Sequence, residues 1–212
     1  MKALNTQQAM DMVIAACDAI IQSKPLLTEV DSRIGDGDHG IGMAGGMEKA
    51  KAALNEKAPF ADVNAVFKTT GMAMLNSMGG ASGVIFGSMF LGGLKGMDSV
   101  TELDGDTLVT LMKKSLAAIK ERGKAQVGDK TMVDALEPAV LAMEAADHSD
   151  ISELLREGAK AAAQGVEDSK KFIARFGKAQ YLGERAIGFQ DAGATSVSII
   201  FDAMSRYVQS LG

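Results

Sequence analysis

Along most of the chain apolar residues recur at intervals of three and four instead of alternating, the period of amphipathic helices. The first such stretch opens at Asn5, where Gln8 three residues later completes a capping-box pattern, and runs to about Lys24, where Pro25 closes it. The same period predicts helices near 41–57, 62–78, 82–97, 105–122, 131–146, 150–174 and 193–211, eight in all. Asp104 is placed to cap the fifth, and Ser149, Ser152 and Glu153 surround the start of the seventh. Short connections imply antiparallel neighbours, so the pattern predicts an all-α fold: an up-and-down bundle or helical barrel, with residues 1–212 forming one domain.

Composition agrees with this picture, since 14 Met and only 3 Pro among the 212 residues leave the helical pattern largely unbroken. A net charge of −5 argues against a nucleic-acid surface, which needs clustered Lys and Arg, and implies that an anionic ligand would be bound with the help of metal ions. Cys17 is the only cysteine and falls in the apolar pattern of the first helix, which excludes a disulfide and a thiolate metal site. The first twenty residues are broken by Asn, Gln and Asp, unlike a signal peptide, and no 18-residue uncharged span follows. These features predict a cytoplasmic protein with no membrane segment.

Four connections are too glycine-rich and polar to be efficient turns: "DSRIGDGDHGIG", "MGGASGVIFG", "RGKAQVGDKTM" and "KAQYLGERAIGFQDAGATS". If helices alternate in direction, loops before alternate helices gather at one end, where free N–H groups and helix dipoles favour an anion. In the first loop Asp31, Asp36 and Asp38 can converge, and three close carboxylates repel unless a cation lies between them. Hard oxygen donors indicate Mg2+ or Ca2+; a solvated acidic loop of caps and turns is the alternative. Gly35, Gly37 and Gly40 match GxGxxG by accident, because no strand precedes them, and the stretch from Gly123 to Thr131 misses a phosphate-binding P-loop pattern by one residue. An EF-hand is excluded by Gly40 and Met47 at the fifth and twelfth loop positions.

The remaining candidates each have two readings. His39 could donate to a phosphate or hold its loop together. Ser82 in "GGASG" offers a hydroxyl to a phosphate or to a helix start, and Thr131 with Asp129 in "GDKT" serves a ligand or a cap. Arg185 can pair with a phosphate, or with Glu184 or Asp191. His148 is expected to be solvated and idle, and Met72, Met74 and Met78 to be core.

Taken in order, "IGDGDHG", "GGASG", "GDKTM" followed by "DALEPA", and "YLGER…GATS" resemble the L subunit, or nucleotide-binding domain, of the dihydroxyacetone kinases, across essentially the whole chain. The resemblance implies an eight-helix antiparallel barrel with ADP or ATP and two Mg2+ ions at one end. It implies that Asp31, Asp36 and Asp38 hold the magnesium and that His39 and Gly40, with Ala81 and Ser82, meet the phosphates. Gly123, Thr131 and Met132 would border the nucleotide on the adenine side, and Arg185 with Asp191, Ala192 and Gly193 would close the site. No catalytic side chain is expected, because positioning and charge neutralisation carry phosphoryl transfer. The implied partners are a K subunit that carries dihydroxyacetone and a phosphohistidine M subunit that recharges ADP. A nucleotide-loaded regulator that binds a transcription factor or a partner enzyme without catalysis is the alternative. Gly42, Lys178, Gln180, Phe189 and Ala192 stand where the family commonly has Asn, Arg, Ser, His and Pro, which leaves room for another ketose such as a tetrulose.

Overall fold

Asn5 Oδ1 accepts from Gln8 N at 2.9 Å while Gln8 Oε1 accepts from Asn5 N at 3.0 Å, so the first helix, α1 (Thr6–Gln22), begins at its capping box. In the computed structural model, which describes residues 1–212, eight more helices follow. They are α2 (Lys24–Ile34), α3 (His39–Lys57), α4 (Val63–Ser77), α5 (Gly80–Leu91), α6 (Gly105–Gly123), α7 (Val133–Ala145), α8 (Ile151–Ser169) and α9 (Ala192–Gln209). Short 3-10 segments at Gly92–Leu94 and Lys178–Ala186, and an antiparallel pair of three-residue strands, β1 (Ala3–Asn5) and β2 (Glu102–Asp104), complete the all-α fold. No helix is long and apolar enough to cross a membrane.

Eight helices form a closed ring in which α1 packs on α3, each helix from α3 to α8 on its successor, and α9 back on α1. One cluster of 47 buried apolar residues fills it, and every ring helix contributes. α2 lies outside the ring against α3 and gives that cluster only Leu27.

α2 is the main correction to the sequence reading, which ended the first helix at Pro25 and left 25–40 as loop. Pro25 instead sits in the first turn of α2, where its missing N–H would have had no helical partner. Only Leu27 and Ile34 of the 11 residues are buried, and the proline reads as readily as the end of one helix as the beginning of another. The fourth predicted helix ends earlier, at Leu91, and the seventh at Ser169. The cap of α8 is Asp150, which accepts from Ser152 N at 3.0 Å and from the N-terminal ammonium at 2.8 Å. Met72 is 40% exposed, unlike buried Met74 and Met78. His148 is not idle: its Nδ1 lies 2.7 Å from Asp106 Oδ1, tying the start of α6 to the end of α7, and that carboxylate raises its pKa.

Candidate functional site

The four glycine-rich connections precede α3, α5, α7 and α9, every second helix of the ring, and residues from all four line one cavity of about 680 Å3. Asp31 comes from the last turn of α2, Asp36 and Asp38 from the turn before α3, and one oxygen from each lies within 4.8 Å of the others. Gly35 permits this approach, because a Cβ there would stand 2.3 Å from Asp31 Oδ1, and Gly37 turns the chain at φ +76°. Asp31 Oδ2 accepts from His39 N at 3.2 Å, and the Lys178 ammonium pairs with Asp36 on the solvent side. Asp38, at the start of α3, accepts no capping bond. An all-oxygen set of this kind, half-buried at Asp31 and exposed at Asp36 and Asp38, fits a hard divalent cation with open positions for water and phosphate.

The helix starts differ according to where they lie. α1, α4, α6 and α8 begin away from the cavity, and Asn5, Asp62, Asp104 and Asp150 cap them with their side chains. Of the four that begin at the cavity, α3, α5 and α7 have no bond from a cap-residue side chain, while α9 is capped by Asp191. The first N–H groups of α5 are open to an acceptor and its dipole favours one that is negative, whereas His39 N of α3 already donates to Asp31 Oδ2 and Val133 N of α7 to Thr131 Oγ1. Gly80 at the head of α5 has φ +66°, which lets the chain enter the helix with Ala81 and Ser82 exposed at the cavity.

His39 joins the start of α3 to α9 and α5: its Nε2 lies 2.8 Å from Ser196 Oγ of α9, and its ring packs on Phe86 of α5 with centroids 5.9 Å apart. Burial lowers its pKa, which favours a neutral imidazole. Behind the wall that Lys130, Thr131 and Met132 form, the Asp134 carboxylate accepts from Gly128 N and Thr131 N, both at 2.6 Å, and burial raises its pKa. Asp191 caps α9 by accepting from Ala194 N at 2.7 Å. Protein packs around its carboxyl on all but the cavity side, and this desolvation, with Asp134 adding repulsion, pushes its pKa up to about 7.

A pH dependence follows. Between about pH 4 and 7 the folded chain keeps a proton on Asp191 that the unfolded chain has released, so this stabilisation is full below pH 4 and lost as pH rises through 7. Asp191→Asn keeps an oxygen for Ala194 N and leaves Lys130 to Asp134. Thermal melts across that range should give a flatter profile for the variant and a higher melting temperature than the parent at pH 8. Identical profiles would show that Asp191 ionises as an ordinary aspartate.

Residues 33–206 match the family model described as the DAK2 domain. The chain belongs to the DAK2 domain family. A Listeria innocua relative named PEP-dependent dihydroxyacetone kinase 1, ADP-binding subunit DhaL, is 43% identical over 187 residues, 88% of this chain and 89% of its own. The Escherichia coli protein named PEP-dependent dihydroxyacetone kinase, ADP-binding subunit DhaL, is 34% identical over 204 residues, 95% and 97% of the two chains. The crystal structure of the dihydroxyacetone kinase from C. freundii in complex with AMP-PNP and Mg2+ is similar with a TM-score of 0.73 and 25% identity, over 97% of this chain and 34% of that one.

Within this DAK2 fold the cavity brings together Asp31, Asp36, Asp38, His39, Ala81, Ser82, Thr131, Met132, Asp191, Ala192 and Gly193. Three candidates lie apart. Gly40 is buried where α3 crosses α2, and a Cβ there would stand 2.5 Å from Lys24 O. Gly123 ends α6 beside Ile85, whose own side chain reaches the cavity. Arg185 is exposed and bonds Leu182 O at 3.4 Å, not Glu184 or Asp191. Sequence reasoning missed Lys178, Lys130 and Asp134 as residues that shape the site. The "GDKT" and "DAL" strings held the signal, but a buried lysine and a buried aspartate look the same in a sequence as exposed ones.

Proposed function

We propose that this chain is the ADP-binding subunit of a dihydroxyacetone kinase. It holds a magnesium-bound adenine nucleotide in the cavity and passes a phosphoryl group to dihydroxyacetone, or a related short ketose, carried by a separate K subunit. A phosphohistidine M subunit recharges the ADP. One observation carries the reading: the triad of carboxylates and the uncapped start of α5 open on the same cavity. Carboxylates alone would repel a nucleotide, and free N–H groups alone would hold any anion; together they select phosphate that arrives with metal.

Asp31, Asp36 and Asp38 would hold two magnesium ions, which supply charge neutralisation to the phosphates when bound. Ala81, Ser82 and the start of α3 orient the phosphate oxygens, His39 lies beside them, and Met132 with the Asp191–Gly193 turn walls the nucleotide. Transfer breaks the bond from the terminal phosphorus to its bridging oxygen and forms one to a ketose hydroxyl oxygen, whose proton leaves to the partner's side. This chain contributes position and electrostatics, so it needs no nucleophile of its own. Exposed Ile41 and Phe176 at the mouth, followed by Tyr181, Ile187 and Phe189 in the same segment as Phe176, support delivery of the ketose by a protein.

The test is reconstitution. Protein purified gently with magnesium should release ADP or ATP on denaturation, read by mass spectrometry, and with K and M partners and phosphoenolpyruvate it should phosphorylate dihydroxyacetone. Turnover on erythrulose alone would move the acceptor to a tetrulose, and absence of both nucleotide and turnover would refute the reading.

A further inference from the structure

The ammonium of Lys130 is buried in the cavity wall, 2% exposed, and the phosphoryl transfer proposed above makes no use of it. A charge in that position must be hydrogen-bonded to be tolerated. Lys130 Nζ donates to Ser169 O at 2.7 Å and to Phe189 O at 2.5 Å, the last residue of α8 and the turn that leads into α9. Its backbone is left-handed at φ +59°, a conformation that a non-glycine residue keeps only when its surroundings enforce it. The carboxylates of Asp134 and Asp191 supply its nearby negative charge.

Three segments meet at this side chain. The Gly128–Met132 turn is tied to α7 through Asp134. Asp191 N donates to Ser169 Oγ at 3.0 Å and Gly188 N to Lys170 O at 2.8 Å, which join the approach to α9 with the end of α8. Arg175 N donates to Asp129 O at 3.0 Å. The turn and α9 then touch closely, since a Cβ on Gly193 would lie 3.3 Å from Met132 N. Lys130 is the side chain that bonds the turn to both other segments.

We infer that Lys130 is a positioning residue for nucleotide binding: its ammonium pins the end of α8 and the entry to α9 onto the Gly128–Met132 turn, which fixes the first turn of α9 against Met132. The inference rests on the nucleotide reading of the cavity for its consequence, and on the bonds above for its geometry.

Lys130→Met, in the full chain, removes the ammonium and keeps the stem. Amide hydrogen exchange without nucleotide should accelerate roughly 10-fold or more in residues 126–132 and 188–195 and stay unchanged in α1 and α4, as expected for local opening. ADP affinity with magnesium should fall roughly 10-fold, the scale seen when a supporting partner of a ligand contact is lost. Mn2+ binding without nucleotide should be unaltered, because Lys130 touches none of the three carboxylates near α2. Uniform acceleration throughout the ring would make Lys130 an ordinary strut and overturn the inference, as would unchanged exchange. If the parent binds no ADP, the nucleotide reading fails while the exchange pattern still decides the geometry. Should Lys130→Met not fold, Lys130→Gln, which keeps a neutral donor on a shorter stem, must loosen residues 126–132 and 188–195 locally, and unchanged protection there overturns the inference.

Discussion

Asp38→Asn is expected to raise the melting temperature in metal-free buffer and to weaken magnesium-dependent ADP binding about 100-fold or more, roughly 3 kcal/mol. The two effects have one cause. Three carboxylate oxygens within 4.8 Å repel each other when no cation lies among them, and removing one charge relieves that repulsion. The groups are partly or fully exposed, so the relief is at most about 1 kcal/mol, or about 2 to 4 °C for a chain of this size, and it should vanish in high salt. The same substitution removes one of the anionic donors that hold the cation, so the nucleotide loses its counter-charge. Asp38 is the cleanest of the three to change: Asp31 also accepts from His39 N, and Asp36 pairs with Lys178, whereas Asp38 accepts no capping bond. Melts with EDTA and titrations with magnesium and ADP check both signs. Loss of metal-free stability, or ADP affinity within a few-fold of the parent, would remove the acidic turn from the site.

Much of the ring was legible in long runs of apolar, helix-forming residues, with the apolar stripe clearest in α1, α6, α8 and α9, and its capping residues at Asn5 and Asp104 are where the pattern puts them. α2 was hidden because its burial rests on two residues and a proline that reads equally as an end or a beginning. Glycine and aspartate spacing allowed Asp31, Asp36 and Asp38 to converge but left a solvated acidic loop as the alternative, and it did not show that Asp31 belongs to a helix and not to the loop. Residues 170–191 were the least legible. They have no period, and their path depends on bonds such as those from Lys130 to Ser169 and Phe189, which join residues 39 and 59 positions apart. That path carries Arg185 away from the cavity and Lys178 to Asp36, a choice no local pattern encodes.

Gly45→Ala and Gly165→Ala are the same change inside a helix, and their expected effects have opposite signs. Alanine is the better helix former by about 0.8 to 1 kcal/mol, which is the expected gain at Gly45 in α3, where an added Cβ meets nothing within 4 Å. At Gly165 in α8 the added Cβ would stand 2.1 Å from Asp134 O and 2.7 Å from Ala135 Cα. Both are backbone or backbone-bound atoms of α7 that cannot swing aside, so α7 and α8 must part. Overpacking of this kind typically costs 1 to 3 kcal/mol, and a rigid obstacle puts Gly165→Ala near the upper end, about 3 kcal/mol and about 6 to 12 °C in melting temperature. The displacement reaches the site, because the Asp134 carboxylate holds Gly128 N and Thr131 N, and the turn they belong to must follow α7. ADP affinity should therefore fall in Gly165→Ala and stay unchanged in Gly45→Ala. Denaturant midpoints and ADP titrations of the two variants separate helix propensity from helix contact: a neutral Gly165→Ala would mean that α7 and α8 lie farther apart than the cavity wall requires.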